Sequence, residues 1–165
     1  MPLRALDNSG WGFESNCFVC EPANDQGLRI PFFHDEEGER VTAEFTLGPE
    51  FSGAPSYVHG GLVLAVLDEA MAWAAIALAG RMAVTRTTTS TFEHPVKVGR
   101  TYRVDASVDG GNERELATSA RVVDEKGRLC TTADARFVVL SEVQARSAIG
   151  ELSDDDARYL RSDPS

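Results

Sequence analysis

The stretch VHGGLVLAVLDEAMAWAAIALAG, residues 58–80, decides the fold. From Leu62 to Ala79 every residue is apolar except two neighbours, Asp68 and Glu69, and Gly80 follows where a helix would stop. Ala, Leu and Met dominate and no Pro or Gly interrupts the run, so it reads as one helix, roughly 27 Å long at about 1.5 Å per residue. That is near the length of a membrane span. Two adjacent acids at its centre would cost roughly 2.5–3.5 kcal/mol each on an insertion scale, so no membrane partner is expected. A helix apolar around most of its circumference must instead be covered on most sides. A curved antiparallel sheet wrapped round it, with a second copy of the chain closing the remainder, meets that need.

The flanking sequence supplies the sheet. Residues 28–34 and 40–47 read as two strands joined by the turn DEEGE. After the helix, 83–93 is rich in β-branched residues and 101–109 alternates. The turns GGNE and EKGR then lead into 114–124 and 128–140. The order is two strands, one long helix, four strands. Residues 1–25 read as an N-terminal arm, 26–140 as the folded domain, and 141–165 as a short, peripheral helix with an acidic tail.

Acids outnumber bases 26 to 16, for a net charge of −10. A phosphate backbone repels such a chain, so nucleic acid is not an expected partner. One anionic cofactor can still be held by a few placed Arg or Lys. Residues 1–16 contain no apolar run long enough for a signal peptide. Three cysteines, Cys17 and Cys20 as C-x-x-C with a distant Cys130, make no disulfide framework, and a reducing cytoplasm is the expected setting. A zinc site on these three would need a fourth ligand from His34, His59 or His94, and no second C-x-x-C or paired-His motif exists. The expectation is therefore ordinary, partly buried thiols, with no metal and no cofactor.

His59-Gly60-Gly61 followed by Asp68 is an HGG-x6-D pattern opening the helix. With the strand TRTTTSTFEHPVKVG and the leader CFVCEPANDQGLRIPF, it resembles the hotdog-fold acyl-CoA thioesterases, specifically the PaaI-like group, over residues 17–140. The resemblance implies an α+β fold: a curved six-stranded antiparallel sheet around the helix, in a homodimer or homotetramer with active sites between subunits. It also implies an acyl-CoA substrate, cleaved to free acid and CoA. Two rival readings are a hotdog enoyl-CoA hydratase or dehydratase, and a non-catalytic acyl-CoA binding protein.

Chemistry assigns the residues roles within that expectation. The first N–H groups of a helix lack intrahelical partners and sit at the positive end of its dipole. Glycine lets substrate approach them, so Gly60 or Gly61 can donate to a thioester oxygen as it becomes an oxyanion. Asp68, two turns into an apolar helix, is the candidate general base or nucleophile, acting by resemblance on substrate held at the partner's HGG turn. Glu69 points about 100° away, toward solvent or an interface cation, and counts with Ser56 as a substrate-side candidate. His59 is expected to orient the entering chain or substrate. The resemblance suggests Thr85 or Thr87 as the hydroxyl that holds the attacking water. Lys97 and Arg100 are candidates for the CoA phosphates. One position departs from the family: Gly53 stands where many members carry Asn or Gln.

Overall fold

In the computed structural model, which describes residues 2–162, the helix and all six expected strands are present. Two strands, β2 (Phe32–Asp35) and β3 (Arg40–Thr46), precede helix α1 (Gly60–Ala77). A short two-stranded ribbon, β4 (Ser52–Ala54) and β5 (Tyr57–Val58), leads into the helix. Four long strands follow: β6 (Ala83–Phe92), β7 (Thr101–Gly111), β8 (Glu115–Asp124) and β9 (Leu129–Val139). The main sheet has seven strands rather than six. Leu3–Leu6 of the arm forms β1 and pairs with β2 at one edge. The order is β1-β2-β3-β7-β8-β9-β6, antiparallel throughout. β2 starts four residues later than its apolar pattern: Arg29 has φ +53° and Pro31 has no N–H to give a ladder.

The helix lies against one face of this sheet, touching β2, β3 and β6–β9. Val63, Val66, Leu67, Ala70, Met71 and Ala74 of α1 are wholly or almost wholly buried. They meet alternating sheet residues such as Val41, Ala43, Val104, Val122 and Phe137. Each large side chain among them contributes roughly 1.5–3 kcal/mol of burial. Met71 and Trp73 are core residues with 0% and 5% exposure. Gly80, at φ +64°, releases the chain from the helix, with Arg81 N bonded to Ala75 O at 2.9 Å.

The C-terminal segment is packed rather than peripheral. Helices α2 (Glu142–Ile149) and α3 (Asp154–Ala157) build a second cluster of Met82, Leu140, Ala145 and Leu160. Trp11 of the arm stacks on Phe13 and meets Tyr159 edge-on, at 5.8 and 5.3 Å between ring centres. Asp156 Oδ2 accepts from Gly12 N at 3.2 Å. The end of the expected tail, residues 163–165, lies outside the described residues.

The feature that matters most for the site is β6. It pairs with β9 along one edge, has no strand on the other among the described residues, and eight of its ten residues are exposed. A long unpaired edge of this kind is a template for another strand.

Candidate active site

Three elements supply the candidate residues: the turn into α1, the third turn of α1, and the start of β6. His59 is the N-cap of the helix. Its Nδ1 accepts from Gly61 N at 2.9 Å, so in this geometry Nδ1 is the unprotonated ring nitrogen. That bond occupies the Gly61 N–H. Gly60 N–H finds no acceptor among the described residues, and Gly60 is exposed. Of the two glycine donors expected from the sequence, only Gly60 is open to a ligand.

Gly53 explains its own departure. A Cβ there would stand 3.1 Å from His59 Cα and 3.3 Å from His59 Cδ2. An Asn or Gln at this position would push on the capping histidine. Ser56, expected on the substrate side, is exposed, and its carbonyl accepts from Val98 N at 3.1 Å. Val58 N bonds Val96 O at 2.8 Å, so the approach to the HGG turn runs beside residues 96–98.

Asp68 is half-buried on α1, and its Oδ1 accepts from Thr85 Oγ1 at 2.5 Å. Its other oxygen has no partner among the described residues. Thr87 makes no such bond. The β6–β9 register slips between Thr85 and Thr87, an irregularity that changes which residues turn toward α1. The structure thus brings Thr85 to Asp68 and leaves Thr87 outside.

Glu69 turns toward the leader loop. Its Oε1 accepts from Cys17 Sγ at 3.3 Å, beside Cys20. Burial pushes the Glu69 carboxyl up to about 8. The hydrogen bond from Cys20 pulls the Cys17 thiol down to about 5, and the same bond drives Cys20 upward. The leader loop that folds back onto α1 creates this contact, which local sequence does not encode.

Lys97 and Arg100 line a cleft of about 310 Å³ together with Lys126 and Arg128. The last two were missed from sequence because they sit in the turn between β8 and β9, remote along the chain. Arg128 is paired with Asp124 at 3.0 Å. His94 is tied to Leu129 O at 3.0 Å and takes no part in the cluster around Asp68.

A family model described as the thioesterase superfamily matches residues 56–131, from Ser56 through the HGG turn, Asp68, Thr85 and the cleft lysines and arginines. Over that segment the chain is similar to the thioesterase superfamily. Among curated relatives, acyl-coenzyme A thioesterase THEM4 of Xenopus laevis is 27% identical over 138 residues, 83% of this chain and 55% of that one. Acyl-coenzyme A thioesterase THEM5 of Mus musculus is 33% identical over 116 residues, 70% of this chain and 45% of that one. The chain therefore spans about half the length of the curated relatives it matches. The structure of the PaaI protein of E. coli, from the phenylacetic acid degradation operon, superposes with a TM-score of 0.62 at 20% identity. That match covers 69% of this chain and 81% of PaaI. It establishes the hotdog fold for this chain.

Proposed function

We propose that the chain hydrolyses an acyl-CoA thioester to free acid and CoA. The observation that carries this reading is Asp68: a carboxylate on an otherwise apolar helix, held on one oxygen by Thr85 and unpartnered on the other. The free oxygen is available to take a proton from water or to attack the carbonyl itself. Gly60 N–H, at the positive end of α1, supplies the donor for the oxyanion. The match to the superfamily and the names of the THEM4 and THEM5 relatives support the substrate class.

Geometry argues that two copies complete each site. Gly60 N–H points out of the helix N-terminus, so its acceptor lies roughly 15 Å along the axis from Asp68. A base acting through one water sits within roughly 6–7 Å of the carbonyl oxygen it serves. One chain cannot present both groups to one thioester. The uncovered edge of β6, which carries Thr85, is the surface on which a second copy would bring its HGG turn to this Asp68. Lys97, Arg100 and Lys126, in a cleft that Asp124 and Glu125 also line, are the cations beside the approach to that turn that could meet the CoA phosphates.

The direct test is free-thiol release from a panel of short, long and aromatic acyl-CoAs by the native protein. Saturable release supports the reading. No release from any of them, with the protein folded and dimeric, would turn it toward a non-catalytic acyl-CoA binder. Conversion of an enoyl-CoA without thiol release would make it a hydratase.

Thr85 is a positioning residue in this scheme. Thr85→Val keeps the shape and removes a hydrogen bond to a charged group, which elsewhere amounts to about 1.5–3 kcal/mol. A fall in kcat of about 10- to 100-fold is expected, with KM little changed. Thr87→Val should leave both constants near native. An equal response of the two variants would remove Thr85 from the mechanism.

A further inference from the structure

We infer that Cys17, Cys20 and Glu69 form a binding site for a thiophilic divalent cation of the Zn2+ class, which pins the leader to the central helix one residue from Asp68. One ligand atom from each residue lies within 4.8 Å of both others, and Cys17 Sγ stands 3.3 Å from Glu69 Oε1. Ligands on one tetrahedral zinc, bound at their usual lengths, stand about 3.3–3.8 Å from one another. The three groups need only a small closure to meet that spacing, and they leave the fourth position to water.

The surroundings hold the sulfurs in place. Asn8 Nδ2 lies 3.5 Å from Cys20 Sγ as a donor. Ladder-like bonds fix the turn itself, from Leu28 N to Phe18 O at 2.7 Å and from Ile30 N to Val19 O at 2.8 Å. No Lys or Arg faces the cluster among the described residues. Asp105, another deeply placed carboxylate, sits among Arg40, Arg103 and Arg121 at 3.8, 3.2 and 3.7 Å. Glu69 has no Lys or Arg partner among the described residues; it faces two thiols instead. A buried carboxylate opposite two cysteines is stabilised by a divalent cation, and two sulfur ligands select zinc over magnesium or calcium. Cys130, the third cysteine, is outside the site, with its thiol donating to Arg128 O at 3.5 Å.

The test uses the full chain, reduced, stripped with a chelator and titrated with Co2+. One equivalent should give thiolate-to-cobalt charge-transfer absorption and the strong visible bands of a tetrahedral site, both erased by Zn2+. Cys17→Ser and Glu69→Gln should weaken binding at least about 100-fold, since loss of groups that merely orient ligands already costs about 10–100-fold. Cys130→Ser should bind like native. If the variants do not fold, alkylation of the native chain decides: Zn2+ should protect Cys17 and Cys20 and leave the rate at Cys130 unchanged. Absence of the cobalt bands, bands that persist unchanged in Glu69→Gln, or a Cys17–Cys20 disulfide that forms as readily with Zn2+ as without it would overturn the assignment.

Discussion

Replacing Asp68 by Asn is expected to lower kcat for acyl-CoA hydrolysis at least about 100-fold, roughly 2.7 kcal/mol of barrier. Asn has nearly the same shape, so packing on α1 and the contact with Thr85 Oγ1 are retained. What it lacks is the ability to take a proton or to form an acyl bond. KM should change little, because the substrate's binding contacts are made elsewhere, at the Gly60 turn and the cleft of Lys97, Arg100 and Lys126. Stability should also hold: Asp68 makes no ion pair among the described residues, and its one hydrogen bond can be kept by the amide oxygen. Steady-state kinetics on the best substrate of the panel, with thermal melts of both proteins, would check this. Equal thiol release by native and variant would remove Asp68 from the chemistry and leave it a structural acid capped by Thr85.

The hundredfold figure depends on a contact that sequence only half revealed. Position 68 stood out because an acid in an apolar helix is costly to place without purpose. The partner did not stand out, since Thr85, Thr87 and Thr89 alternate as any exposed strand does. The slip in register at Thr85–Thr87 chooses between them, and a bulge depends on pairing with β9, far along the chain. Glu69 failed for a related reason. A helical wheel gives its direction relative to Asp68, but not what waits there. The cysteines that meet it arrive from about fifty residues upstream through a loop with no periodic signal. β7, β8 and β9 were legible because each alternates against a buried face, and β6 because it is rich in β-branched residues. β1 was not, as Leu3–Leu6 is a short edge strand with little burial. The capping role of His59 was equally hidden: from sequence the ring can orient chain or substrate, and only the 2.9 Å bond to Gly61 N assigns it to the chain.

That same bond leaves Gly60 as the single free donor of the turn, and it permits a sharper experiment than deletion of either glycine. Gly60 is the first residue of α1, where proline is tolerated because the N–H it lacks has no helical partner. His59, at φ −57° and ψ 128°, already has the extended backbone that a following proline requires. Gly60→Pro should therefore remove the oxyanion donor and spare the helix. A loss of about 10²–10³ in kcat is expected, the usual cost of one such donor. The decisive step combines this variant with Asp68→Asn in one dimer, by co-expression under two tags. If each site takes Asp68 from one chain and Gly60 from the other, the mixed dimer has one site with both groups intact and one with neither. Two nearly inactive parents should then yield a dimer with roughly half of native activity, as two-fold symmetry dictates. If both groups acted within one chain, each site of the mixed dimer would still carry a defect and no activity would return. Recovery would locate the reaction between subunits and explain why a helix this apolar carries its acid beside an uncovered strand edge: the second copy covers the strand and supplies the other half of the site.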